Sequence, residues 1–165
     1  MLSESLEALL NDQITFELSS AQLYRSIAAF LYSTAFSGAA SYFHKKAGEE
    51  TAHADGLIKY VADRRGTVSI GDVAGHEGTD DFLNRPIVLV FETVLEHETN
   101  VTRRISNIYD SALEERDYVT MAFLARYLLE QIEEEASIEL ILERLRFAST
   151  SWAAVLLIDQ ELGAG

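Results

Sequence analysis

Residues 127–140 read YLLEQIEEEASIEL, and four glutamates fall between Glu130 and Glu135 of what is otherwise one continuous helical pattern. Like charges three or four residues apart on a helix repel, at about 0.2–0.5 kcal/mol per pair. A salt-bridged surface would interleave Lys or Arg, and none follows within this helix until Arg144. Positive charge from elsewhere must offset these acids, so the rest of the chain has to be read for it.

The chain of 165 residues fits one domain, residues 1–165, with enough length to bury a substantial core. Its apolar fraction of 48% and single proline point to a heavily helical globular fold. With no cysteine there are no disulfides and no thiolate metal ligands, which fits a reducing, cytoplasmic compartment. The N-terminal MLSESLEALLND has acids but no basic region, so no secretory leader is expected there. No run of 18 apolar residues exists, so no membrane partner is expected. A net charge of −14 argues against nucleic acid and favours the accumulation of cations.

Apolar periodicity predicts an all-α chain of four long helices and one short one. The first spans about Ser5–Tyr32 and the second Ala39–Arg65, with Gly66 as its stop. A glycine-containing loop covers Gly66–Arg85. The third helix runs from Pro86 to about Ala112 and the fourth from Asp117 to Ala148. Short connections make each pair a hairpin, whereas the second and third helices are joined by about twenty residues. A four-helix bundle with one long crossover, over about 5–148, makes that loop reasonable, because helices two and three then run parallel.

Each buried stripe, followed in steps of three and four, is apolar except at its middle. The first helix gives Ile14, Glu17, Ala21, Tyr24, and the second Ala47, Glu50, His53 or Ala54, Leu57. The third gives Val94, Glu98, Val101, and the fourth Tyr127, Glu130, Glu134, Ile138, with Gln131 alongside. An unpaired buried carboxylate costs several kcal/mol or takes up a proton. Several of them at one level demand a common counter-charge. Reflection across the hairpins tests the level. Glu17 and His53 are symmetric about position 35, in STAFSG, and Glu98 and Glu134 about position 116, in LEERD. Oxygen-rich ligation with one imidazole suits Fe(II), Mn(II) or Zn(II), and bridging glutamates hold two ions about 3.5–4 Å apart.

The segments NDQITFELSSAQLY, GEETAHA, LEHETNVTRRI and LEQIEEEAS together resemble those of prokaryotic non-haem ferritins over nearly the whole chain. A glutamate from each of two helices plus Glu-x-x-His motifs on the other two is the ligand pattern of ferritin-like di-iron bundles. Here the fourth helix departs from it, with Gln131-Ile132-Glu133-Glu134 in place of the second Glu-x-x-His. The resemblance implies a hollow shell of twenty-four subunits that oxidises Fe(II) with O2 or H2O2 and stores the ferric mineral. It implies Glu17, Glu50, His53 and Glu98 as ligands of a two-iron ferroxidase centre, Glu134 as the second iron's carboxylate, and Gln131 as the glutamine touching the centre. Glu49, Glu130 and Glu133 match a third iron site, and Tyr24 matches the tyrosine beside the centre, either bonding a ligand or supplying an electron. Thr51 stands where haem-binding bacterioferritins carry methionine, so no haem is expected. Arg126 replaces the aromatic residue common in the middle of the fourth helix, which removes a radical-quenching tryptophan from that position.

The segment STSWAAVLLIDQELG begins with cap candidates Ser149–Ser151 and predicts a fifth helix over about 150–162. WAAVLLI is apolar on every side, although the four stripes already satisfy one another. The expectation is burial against other subunits, which the resemblance puts at four-fold axes. Two rival classes are a rubrerythrin-like di-metal oxidase or peroxidase without storage and a DNA-protecting mini-ferritin. The absence of a cysteine-ligated centre and the fifth helix count against the first, and a complete site in one chain counts against the second.

Overall fold

A computed structural model of the chain describes residues 1–74, 86–148 and 150–164. Among them are five helices: α1 Glu4–Leu31, α2 Ser37–Asp63, α3 Ile87–Glu114, α4 Tyr118–Ala148 and α5 Trp152–Leu162. The first four form the expected bundle. Gly75, His76 and Gly78 of the predicted loop, and Ser149, lie outside the described residues.

Helix ends differ from expectation by a few residues, each for a local reason. Ser3 caps α1 by accepting the Leu6 amide at 3.1 Å, so that helix starts before Ser5. Pro86 occupies the N-cap of α3 rather than its first turn. Arg65, not Gly66, takes the left-handed conformation after α2, with φ of 62°, while the Gly66 amide reaches back to Val61 O at 2.9 Å. Arg116 plays the same part after α3, with φ of 58°.

The first part of the crossover is strapped to α1. Asn11 bonds Thr67 O and Ser69 N, Thr15 Oγ1 accepts from Gly71 N at 2.9 Å, and Ser19 Oγ accepts from Ala74 N at 3.1 Å. These three side chains recur every four residues on one face of α1, so the segment climbs beside that helix. It carries the chain back toward the level where α2 began, which leaves α3 parallel to α2.

The core falls into two apolar clusters. One gathers Leu23, Ile27, Phe43, Phe91, Ile138 and Leu142, and the other Leu10, Ile14, Leu57, Ile105, Leu124 and Tyr127. Glu17, Glu50, Glu98 and Gln131 are all buried at the stripe positions between the two. The polar layer therefore crosses the bundle as a single level.

α5 differs from its expected environment. Val155, Ile158 and Asp159 are buried against the chain's own bundle, while Trp152 and Leu157 stay exposed. The buried Asp159 carboxylate accepts the Gly38 and Ala39 amides at 3.0 and 2.7 Å. It thereby caps α2, whose own N-cap, Phe36, has no side chain able to do so. A Cβ on Gly38 would lie 1.7 Å from Asp159 O, so the contact admits only glycine.

Candidate metal centre

Glu17, Glu50 and His53 offer ligand atoms within 4.8 Å of one another. They come from α1 and α2 at equal depth, as the reflection about position 35 requires. Glu17 is 1% exposed; its Oε1 accepts from Gln13 Nε2 at 2.8 Å, and its Oε2 is sealed from water with no hydrogen-bond partner. A carboxylate oxygen so placed costs free energy until a cation meets it. Gln13 is held in turn by the Arg104 Nε donor at 3.0 Å, so α3 fixes the orientation of an α1 carboxylate.

Glu98 lies across from this group. Tyr24 donates to its Oε1 through a short hydrogen bond, and Gln131 Nε2 donates to Oε2 at 2.9 Å. Tyr24 and Gln131 thus meet on the carboxylate of Glu98, one of the expected ligands. His53 has two acidic neighbours: Nδ1 is 3.6 Å from Glu50 and Nε2 is 3.1 Å from Glu130. Glu134 and Glu49 converge on Lys46, whose Nζ is 2.5 Å from Glu134 Oε1 and 2.9 Å from Glu49 Oε2. Glu133 is exposed. Glu135, given no role by the sequence, accepts from Thr102.

Charge crowding sets the protonation of the group. Burial, then repulsion from Glu50, pushes the Glu17 carboxyl well up. For Glu50, burial acts upward but the His53 imidazole and the Glu17 contact outweigh it, so its pKa falls. The two acids therefore keep one proton between them, on the Glu17 side. Burial and the Glu50 charge raise Glu98 to about 7. His53 is lowered by burial, yet the Glu50 hydrogen bond and surrounding carboxylates dominate and bring it to about 9.

Three contributors escaped the sequence reading. Lys46 precedes Glu50 by one helical turn, and Gln13 precedes Glu17 by one turn, so both spacings were visible. Their partners on α4 and α3 were not. The third is His97, which stacks on Phe16 at 5.3 Å, bonds Ser20 Oγ at 2.8 Å and meets the Tyr24 ring edge at 5.8 Å. Arg126 lays its guanidinium 4.6 and 4.8 Å from the Phe123 and Tyr127 ring centres, occupying the aromatic position by cation–π contact.

Buried acids and an imidazole converging at mid-height of an antiparallel bundle form a candidate carboxylate metal site in a four-helix protein. The family model Ferritin, described as a ferritin-like domain, matches residues 7–148. Bacterial non-heme ferritins of Bacteroides fragilis and Campylobacter jejuni are 32% and 33% identical to this chain. The first aligns over 99% of both chains, the second over 97% of this chain and 93% of the relative. The structure of an open-pore ferritin from Archaeoglobus fulgidus superposes with a TM-score of 0.92 at 36% identity, covering 100% of this chain and 99% of that one. The chain belongs to the ferritin family. No described helix is long and apolar enough to cross a membrane.

Proposed function

We propose that this protein is a cytoplasmic iron-storage ferritin that oxidises Fe(II) at a di-iron centre inside each subunit. The supporting observation is the partnerless Glu17 Oε2 facing a group of acids and an imidazole drawn from one chain. A bound metal ion would offset such an arrangement and fill the unmet oxygen at once. Iron is substrate and cargo here. Glu17, Glu50 and His53 bind the first ion, and Glu98 and Glu134 the second, with Glu50 bridging and Gln131 holding Glu98 in position.

The electron balance is simple. Each Fe(II) gives one electron; O2 takes two electrons and two protons to give H2O2, and H2O2 takes two more of each to give water. The ring of carboxylates favours the higher charge of Fe(III), which drives oxidation. Tyr24 keeps Glu98 oriented through its hydroxyl. Glu49, Glu130 and Glu133 form a third station toward which ferric product or a further Fe(II) passes. The exposed Trp152 and Leu157 of α5 and Phe147, which is 94% exposed, support assembly into a shell, for which we adopt twenty-four subunits.

The test is aerobic Fe(II) addition followed by size-exclusion chromatography with iron analysis. Storage predicts a large assembly eluting with many irons per chain. A small oligomer holding only a couple of irons per chain would leave a di-metal oxidase of the rubrerythrin type as the better reading. Because the acids and imidazole all belong to one chain, the geometry favours this reading over a mini-ferritin whose site spans two subunits.

A further inference from the structure

Lys46 belongs to none of the ligand roles above, and yet its ammonium lies inside the carboxylate shell. It rises from α2 one turn before Glu50, and its side chain is only 15% exposed. An ammonium has three donors. Here they meet Glu134 Oε1 at 2.5 Å, Glu134 Oε2, and Glu49 Oε2 at 2.9 Å. Both oxygens of the carboxylate assigned to the second iron are thus already engaged by a cation of the protein's own.

The other half of the centre begins from the opposite state. Glu17 Oε2 has no partner at all. A metal ion entering there displaces no charged side chain from that oxygen, whereas one entering at Glu134 must first dislodge an ammonium. Dislodging it is sterically simple, because a lysine stem is flexible along its four carbons and its partner Glu49 is itself exposed to solvent at 38%.

We propose that Lys46 is a specificity-determining residue of the centre: its ammonium is a tethered competitor for the second metal position, and the two ions therefore bind in order. The first is taken by Glu17, Glu50 and His53. The second is taken by Glu134 and Glu98 as Lys46 withdraws, which also frees Glu49 for the third station. This rests on the di-metal reading of the site and adds to it a built-in difference in affinity between the two positions.

Anaerobic titration of the assembled protein with Co(II), followed by its visible ligand-field absorption, separates the outcomes. In wild type the absorption should rise in two steps, the second weaker. Lys46→Gln and Lys46→Met should tighten the second step by about tenfold, equivalent to about 1.4 kcal/mol, and leave the first unchanged. Lys46→Arg keeps the charge and grips a carboxylate with two N–H groups, so its second step should be no tighter than wild type. A second step that is unchanged or weaker in both neutral variants overturns the proposal, as does a tighter one in Lys46→Arg. The arginine comparison also stands by itself if the neutral variants fail to fold. Absence of two steps in wild type, or a first step indifferent to His53→Ala, would defeat the di-metal reading itself. Two His53-dependent steps unaffected by Lys46 would defeat only its competing role.

Discussion

Loading a redox-inert divalent ion such as Zn(II) should expel protons from the centre, in an amount that follows from its electrostatics. At pH 7 His53, raised to about 9, is almost wholly protonated and must lose that proton to ligate. Burial and repulsion from Glu50 push the Glu17 carboxyl well up, so this pair holds a proton more tightly than an ordinary carboxylate does. Glu98, at about 7, is half protonated. Filling both positions should thus release about one and a half protons per chain at pH 7 from His53 and Glu98, and the Glu17–Glu50 pair adds to that number. The sign is fixed: only deprotonated groups bind metal, so affinity rises with pH up to about 9, while release shrinks as pH passes about 7 and then about 9. A pH-stat titration in weakly buffered solution measures this directly, and His53→Ala should lower the count by about one. Release of fewer than about one proton per chain at pH 7 would refute the crowding account, since the acids would then already be fully ionised without metal.

The same shifts make metal-free stability fall with pH. His53 and Glu98 both have folded values above their ordinary 6.5 and 4.5, so their contribution is complete below those values and is lost as pH rises toward about 9 and about 7. Melting temperatures of metal-free protein should therefore decline between pH 5 and 9, and bound Zn(II) should remove the decline; a flat metal-free profile contradicts this. Tyr24→Phe deletes a donor to Glu98 without altering packing, and stopped-flow Fe(II) oxidation should slow several-fold while metal stoichiometry is kept; an unchanged rate would reduce Tyr24 to a core aromatic. Asp159→Ala removes a carboxylate that accepts two buried amides, with an expected loss of about 3 kcal/mol. That corresponds to a melting shift of about 10 °C, and a shift under about 2 °C would show that α5 docks by its apolar face alone.

The bundle and the level of its polar layer were legible in the sequence because both follow from periodicity within a helix. Glu17, Glu50 and Glu98 interrupt otherwise apolar stripes, and reflection about two short turns levels Glu17 with His53 and Glu98 with Glu134. Interactions that reach between helices far apart in the chain were not legible. Asp159 caps Gly38 and Ala39 from 120 residues away, a pairing no local spacing encodes. The apolar look of WAAVLLI hid the fact that one face of α5 belongs to its own subunit. Asn11, Thr15 and Ser19 recur every fourth residue, yet the same pattern describes any solvated face until the crossover is seen lying on it. Arg104 reads as a surface base, and its grip on Gln13, hence on Glu17, depends on the side-by-side packing of α1 and α3.

The acids of YLLEQIEEEASIEL sort by direction in a way that explains why the helix tolerates them. Gln131 turns toward Glu98, Glu134 toward the Lys46 ammonium, Glu130 toward His53, Glu135 toward Thr102, and Glu133 toward solvent. Without metal, the surplus negative charge is met in three ways: a proton kept on the Glu17 side, a protonated His53, and the Lys46 ammonium. A permanent network of arginine forks would satisfy the same acids more firmly, since bidentate guanidinium pairs hold their geometry. Each device used here is instead one that a divalent ion can displace, by expelling a proton or pushing a flexible stem aside. Replacing Lys46 with a fixed counter-ion would stabilise the empty bundle and close half of the centre. The bundle therefore keeps its negative charge weakly satisfied, and that weakness is what the proposed uptake of iron would use.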